Sequence, residues 1–311
     1  MPLFSIEKNK LESIQRKDFG LEKELQSLIE KNLDVVFNCQ FVASEFATGP
    51  VHAGRIDTLA LSEDSNPVII EYKKVESSSL INQSLFYLSW IQDHRGDFEI
   101  AAKRTLGNET EVDWSDVRVI CIAPNYKKYD LHAVQVMGAN IELWSYKFFK
   151  NNTLYLEEVF RKSLTSTSQD LESGKNPVMV EAGKKAALTR ATAVYTVEER
   201  FEGKPDKIKE LFYDINDYVT GLDSSIEVVP KKFYVAYKIS QNIVCIDVRK
   251  GHLFLYIKLN PSELEDLPEI ARDVSEIGHY GTGDLEIKIM SPEDIEIAKP
   301  FIEIAYQKIG G

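Results

Sequence analysis

Gly54-Arg55-Ile56-Asp57-Thr58-Leu59-Ala60-Leu61 and Val68-Ile69-Ile70-Glu71-Tyr72-Lys73-Lys74 read as two short strands, apolar and β-branched, each carrying charge where a plain core strand would not. The polar stretch Ser62-Glu63-Asp64-Ser65-Asn66-Pro67 between them has the composition of a turn. In an antiparallel hairpin turning between Asp64 and Ser65, facing residues sum to about 129, so Asp57 faces Glu71 or Tyr72 within one residue of register. Glu71 and Lys73 share one face of their strand and Tyr72 takes the other. Two carboxylates and an ammonium therefore converge on one spot of a small sheet, the outline of a metal and water site.

The chemistry gives that arrangement a purpose. Magnesium and similar hard cations prefer carboxylate oxygen and keep waters or a substrate phosphate in their other positions. Asp57 and Glu71 are the candidate ligands, with the Tyr72 carbonyl as a further one. Lys73 is suited to orienting an attacking water or to stabilising charge on a phosphoryl transition state. A lone Glu-x-Lys is more often an ordinary surface pair on a strand. Asp57 argues against that reading, because it sits just before a buried run.

With these residues in place the sequence resembles the PD-(D/E)XK nuclease superfamily over about the first half of the chain, in the branch of NucS and RecB-like endonuclease domains. The resemblance identifies Asp57, in Gly-Arg-Ile-Asp, with the family's acid, and Glu71-Tyr72-Lys73 with its (D/E)XK element. Gln83-Ser84-Leu85-Phe86-Tyr87 matches the Gln-x-x-x-Tyr helix that often follows, and Glu22-Lys23-Glu24-Leu25-Gln26 matches the first helix, with Glu22 the better acid and Glu24 the second choice. The resemblance implies a restriction-endonuclease-like mixed sheet flanked by helices. It also implies a magnesium- or manganese-dependent endonuclease acting on nucleic acid, with DNA the expected substrate. Asp57, Glu71, Lys73 and Glu22 would be catalytic, Asp57 and Glu71 metal-binding, and Gln83, Tyr87 and Lys74 would support the substrate. The alternative from another class is a module on the same fold that binds nucleic acid or protein without cutting.

Composition bounds the reading. A chain of 311 residues with 43% hydrophobic content supports two domains. No apolar run approaches the roughly 20 residues of a membrane span, and the N-terminus lacks a signal-peptide core, so a cytoplasmic protein is expected. Cys39, Cys121 and Cys245 lie far apart in apolar stretches and suit buried, reduced thiols rather than a zinc site. The net charge of −12 runs against a general nucleic-acid coat protein. Residues 195–311 hold 14 Lys/Arg against 22 Asp/Glu, and residues 1–162 hold 19 against 24. Lys73, Lys74, Arg95, Lys103, Arg104, Lys127, Lys128, Lys147 and Lys150 are the local cations available to line a groove in the first half.

Periodicity predicts a helix over 18–33 capped by Asp18, a strand over 35–46, a Gly49-Pro50 turn, the hairpin, and a helix over 77–92. A strand over 117–123, apolar enough to be buried on both faces, precedes a helix over 129–137 and strands near 141–148 and 154–159. These give an α/β domain over 1–162. Small polar residues mark 163–194 as a linker. Residues 195–311 form a smaller α+β accessory domain, with a helix over 205–219, strands over 233–239, 243–249 and 253–259, and a closing helix over 292–309. This half resembles an uncharacterised domain that often follows such nucleases and is sometimes labelled a predicted transport protein; the chain has no membrane segment to support transport. Its role is expected to run through a local pocket or a homodimer contact. Gly278-His279-Tyr280-Gly281-Thr282-Gly283-Asp284 is either a phosphate cradle or a loop needing positive φ, and the loop is the commoner case. A small-molecule site there is the least favoured reading of the chain. Tyr234, Tyr237, Phe254 and Tyr256 alternate along strands in the manner of core residues.

Overall fold

The computed structural model describes residues 2–49, 54–76, 79–137, 140–161 and 195–309. The linker expected over 163–194 lies outside them, as do Pro50 of the expected turn and the first residues of the helix expected from Ser77. The chain divides into two compact units, Met1–Thr192 and Ala193–Gly311.

The first unit opens with a hairpin, β1 (Leu3–Glu7) and β2 (Lys10–Ile14), then β3 (Arg16–Lys17), α1 (Glu22–Glu30), α2 (Leu33–Phe37), β4 (Cys39–Ala47), β5 (Arg55–Ser62) and β6 (Pro67–Tyr72). It continues through α3 (Ser79–Asp93), α4 (Arg95–Leu106), β7 (Arg118–Ala123), α5 (Lys128–Met137), β8 (Ile141–Phe149) and β9 (Leu154–Arg161). The central sheet is mixed, in the order β3-β8-β7-β6-β5-β4, with β9 also on β8. Strands β6, β7 and β8 run parallel and the rest antiparallel. Every residue of β6 and β7 is buried, as their unbroken apolar runs require of parallel strands covered on both faces. Leu25, Ile29, Leu33 and Phe37 of α1 and α2 pack on Val68, Ile70, Tyr72, Ile120 and Ile122. The opposite face, through Leu59, Leu61, Ile69, Val119 and Cys121, meets Leu80, Leu85, Leu88 and Ile91 of α3 and Phe98 and Ala102 of α4.

Several expectations are corrected. The segment read as a strand from Val35 begins with α2, because Leu33 and Phe37, four apart, bury together on one helical face. Asn38 then ends the helix with φ of 50°, a left-handed position that Asn tolerates. Asp18 does not cap α1; the Glu24 carboxylate turns back to accept from Gly20 N at 2.8 Å and Leu21 N at 3.3 Å. The β1–β2 hairpin and α4 were not anticipated, and α4 buries only Phe98 and Ala102, which leaves little helical periodicity to read.

The second unit carries α6 (Asp206–Leu222), β10 (Glu227–Pro230), β11 (Val235–Lys238), β12 (Asn242–Val248), β13 (Leu253–Ile257), β14 (Ala271–Asp273), β15 (Leu285–Ile289) and α7 (Pro292–Lys308). Its sheet is antiparallel throughout, in the order β10-β11-β12-β13-β15-β14. Ile208, Phe212 and Ile215 of α6 and Ile295, Ala298 and Ile302 of α7 cover one face. Cys39, Cys121 and Cys245 are buried thiols, none of them in a disulfide. Among the described residues no helix is long and apolar enough to cross a membrane.

One buried ion pair ties the first sheet together. Arg118 on β7 donates Nε to Glu142 Oε1 at 2.6 Å and Nη2 to Oε2 at 2.9 Å, and its Nη1 donates to Phe37 O at 3.2 Å. Trp144 Nε1 supplies a further donor to Glu142 at 3.0 Å. Removing one partner strands a buried charge. Arg118→Ala or Glu142→Ala should therefore lower unfolding free energy by about 3–5 kcal/mol in urea titrations, and Arg118→Met with Glu142→Leu should recover part of that loss.

Candidate metal and nucleic-acid site

The β5–β6 hairpin pairs Thr58 with Ile70 and Leu61 with Pro67, one step from the register expected from the turn and within its stated tolerance. Ser62 and Asn66 close it, with Ser62 N to Asn66 O at 2.9 Å and Ser65 N to Ser62 O at 2.9 Å. Asp57 and Glu71 follow the last paired residues and meet across the strands. Asp57 N donates to Glu71 Oε1 at 3.0 Å, and Tyr72 N donates to Asp57 Oδ2 at 3.1 Å. Each carboxylate thus holds the other strand's backbone. Tyr72 points the opposite way, into the core beneath α1.

The electrostatics of this pair are unusual. Glu71 is 0% exposed. Burial, the Asp57 charge and a hydrogen bond between the two carboxyl groups push its pKa up to about 9, against the favourable effects of the Asp57 N–H and Lys73. Burial also raises Asp57, opposed by the Tyr72 N–H and Lys73. Glu71 Oε2 is buried with no hydrogen-bond partner. A buried carboxylate oxygen lacking a donor is costly unless a proton or a cation completes it. Two hard oxygen donors, one with an open lone pair, fit a divalent cation of the magnesium type. Among the described residues no three His, Cys, Asp or Glu side chains gather closely enough to ligate one ion, so any ion here rests on this pair, with water or phosphate in its other positions.

Helix α1 frames the pair from the side. Glu22, in its first turn, accepts from Lys73 Nζ at 3.3 Å through Oε1 and from Lys74 N at 2.9 Å through Oε2. Of the two acids weighed in this helix, Glu22 faces the lysines, while Glu24 serves the helix end. Lys74 Nζ donates to Gly20 O at 2.6 Å. One turn beyond Glu22, the buried Gln26 donates Nε2 to Asp57 O at 2.7 Å, Glu30 Oε1 at 2.9 Å and Ser44 Oγ at 3.2 Å. Gln26 was not among the residues assigned a role; its signal was a glutamine on the buried stripe of an amphipathic helix, four positions after Glu22.

Gln83 and Tyr87 lie behind β5. Tyr87 is buried; its hydroxyl donates to Arg55 O at 2.9 Å and accepts from Arg55 N at 3.0 Å and from Gln83 Nε2 at 3.2 Å. The ring passes so close to Gly54 that an added Cβ there would lie 2.8 Å from Tyr87 Cε1. A tyrosine in this place fixes the backbone that leads into Asp57. Arg55 itself is exposed and pairs Nε with Glu45 at 2.5 Å, and Lys23 pairs with the same carboxylate at 2.9 Å. Of the other first-half cations, Lys147 pairs with Glu157 at 3.4 Å, Arg95 lies over Trp114, and Lys150 bonds Gln15 at 2.5 Å.

Comparison with known proteins adds kinship. Residues 197–308 match a domain of unknown function, DUF5655. Solved structures with similarity include an EndoMS–double-stranded DNA complex (18% identity, 47% of this chain and 64% of that chain, TM-score 0.30) and EndoMS in its apo form (17%, 45% and 62%, TM-score 0.28). A repair endonuclease from Pyrococcus abyssi matches at 20% identity over 41% of this chain and 48% of its own, with a TM-score of 0.24. The chain thus spans less than two thirds of each of these endonucleases. A protein of Haemophilus influenzae, described as uncharacterized, is 31% identical over 309 residues, 98% of this chain and 99% of its own. On that near end-to-end match, this chain, with its C-terminal DUF5655 domain, belongs to the family of the Haemophilus influenzae protein.

Proposed function

We propose that the first unit is a divalent-cation-dependent endonuclease that hydrolyses phosphodiester bonds of nucleic acid, with DNA as its substrate and the second unit choosing substrate or partner. The observation that carries this reading is the Asp57–Glu71 pair, in which Asp57 is half-buried and the fully buried Glu71 is short of one donor at Oε2. A magnesium or manganese ion held by Asp57 and Glu71 would polarise a phosphoryl oxygen and lower the pKa of a bound water.

The chain's own residues divide the remaining work. Lys73, which pairs with Glu22 and whose charge is felt by both Asp57 and Glu71, would hold a water or meet negative charge as it builds on the phosphate. Gln26 and Tyr87 fix the backbone on either side of Asp57, which keeps its carboxylate in register with Glu71. Arg55 and Lys74, both exposed and close in sequence to the site residues, would meet backbone phosphates. With a net charge of −12, binding should be modest and should weaken steeply with salt. We further assign 1–162 as the nuclease-like domain, 163–194 as a linker and 195–311 as the accessory domain, in a cytoplasmic protein.

The proton inventory of the pair gives a stability test. Glu71, raised to about 9 from 4.5 in its ordinary state, keeps its proton in the folded chain across a range where the unfolded chain has lost it. Its stabilising contribution is full below pH 4.5 and is lost as pH rises toward 9. The metal-free protein should therefore melt at progressively lower temperature from pH 5 to pH 9, and Glu71→Gln, which mimics the neutral acid, should flatten that slope and melt higher than wild type at alkaline pH. Magnesium or manganese should raise the melting temperature of wild type, increasingly so as pH rises, and should leave Glu71→Gln unmoved. Equal metal shifts in both proteins would remove Glu71 as a ligand.

Activity is tested on single-stranded, branched and duplex substrates with magnesium or manganese. Asp57→Asn, which still accepts from Tyr72 N, and Lys73→Ala should each lower cleavage by at least about a hundredfold with folding kept. Cleavage retained in both variants would sink the assignment. A wild type that binds these substrates but never cuts them would establish the non-cleaving alternative.

A further inference from the structure

On the second unit, the sheet face away from α6 and α7 carries a small cluster of Tyr234, Ala236, Cys245, Tyr256 and Val274. The Gly-rich loop closes over it. Gly283, with φ of 123°, packs so tightly that an added Cβ would lie 2.4 Å from Ile257 O; at Gly281, with φ of 105°, it would lie 3.0 Å from Cys245 Cβ. These glycines serve close packing against β12 and β13, which leaves no room there for a phosphate. His279 stacks on Tyr256 at 4.3 Å. The clamp leaves Tyr280 outside, 48% exposed and stacked at 4.1 Å on Phe233, itself 41% exposed. Two large rings held together in water by a fixed loop are an interaction feature rather than core.

One cation lies against these rings and others hold the adjoining backbone. Lys232 Nζ lies 5.0 Å from the Phe233 ring centroid. Arg200 donates Nη1 to Lys232 O at 2.7 Å and Nη2 to Lys231 O, and Lys204 bonds Arg200 O, so this segment is held by basic residues. Arg249 and Lys250, both exposed, follow the end of β12, the neighbour of β11; Arg249 pairs with Asp247 at 2.6 Å. Asp247 and Glu199 share this corner with Arg200, Lys204, Lys231, Lys232, Arg249 and Lys250, so cations prevail here within residues 195–311, which carry 14 Lys/Arg against 22 Asp/Glu.

We propose that Phe233, Tyr280 and Lys232, flanked by Arg249 and Lys250, form a binding surface for single-stranded nucleic acid. A base stacks on the exposed rings and neighbouring phosphates meet the cations, a combination that tolerates any sequence because every base has a π face. An acidic peptide would use the cations, but nucleic acid carries a phosphate and a stacking base in every unit, which matches cations set beside paired rings. As a device for substrate choice this rests on the nuclease reading of the first unit; as a binding surface it stands without it.

The test uses the full-length protein in EDTA with a fluorescent oligothymidylate, read by anisotropy at low and moderate salt. Phe233→Leu and Tyr280→Leu keep apolar bulk and remove the rings; each should weaken binding about tenfold, with circular dichroism and melting temperature unchanged. Lys232→Gln should weaken binding and reduce its salt dependence. Photocrosslinking with bromouridine-substituted oligonucleotide should label peptides containing Phe233 or Tyr280. Wild-type binding by both ring variants, crosslinks confined to residues 1–161, or a wild type that binds no oligonucleotide at low salt would each overturn the proposal. Magnesium-dependent cleavage by the same variants is scored separately. Lost oligonucleotide binding beside absent wild-type cleavage would defeat the nuclease reading alone, and normal binding beside cleavage that requires Asp57 would defeat this surface alone.

Discussion

The first unit depends on a pair of carboxylates that each hold the other's backbone. Asp57 N binds Glu71, and Tyr72 N binds Asp57. These bonds continue the β5–β6 pairing past its last regular residues, so the sheet and the site are made by the same contacts. The arrangement sets a half-buried acid against a fully buried one, and the fold leaves Glu71 Oε2 without a donor. Hydrogen bonds from Gln26 and Tyr87 go to the neighbouring backbone, not to the carboxylates. The surrounding structure therefore fixes where the acids lie without satisfying their charge, which is the condition in which a cation gains most by binding.

The neighbouring strands β7 and β8 of the same sheet carry a buried charge treated in the opposite way. Arg118 on β7 stands opposite Val68, and Cys121, three residues on, stands opposite Glu71. Arg118 meets Glu142 through two hydrogen bonds, and Trp144 completes the acid. That end of the sheet is electrostatically closed; the Glu71 end is left open. Burial alone does not explain the contrast, since both carboxylates are nearly inaccessible. It lies in the partners: a guanidinium fork matched to a carboxylate at one end, and a second carboxylate at the other.

The hairpin was legible because its alternation, its turn residues and its charges all agree on one register. The site residues followed from that register, since Asp57, Glu71 and Lys73 are local to it. Glu22 came from the resemblance, and the structure then separates it from Glu24 by what each carboxylate touches. The part Gln26 plays was hidden because its partner is a main-chain oxygen that only the fold brings near. Val35–Phe37 was misread since Val35 and Val36 favour strands, while the decisive signal was the burial of Leu33 and Phe37 on one turn. Strand β14, only three residues long, and β10, of four, are too brief for alternation to register.

Aromatic residues in the second unit follow one physical rule with two outcomes. Tyr237 and Tyr256, on paired strands, are committed to one face or the other and are buried, as their alternation implied. Phe233 and Tyr280 lie just outside strands, where no pleat dictates which way a side chain points. Their exposure has to be held by something else, and the loop glycines do so by drawing residues 281 and 283 against β12 and β13. The Gly-rich motif thus matters for the residue it presents rather than for any group it could cradle. Tyr280 stands out because its neighbours are pinned.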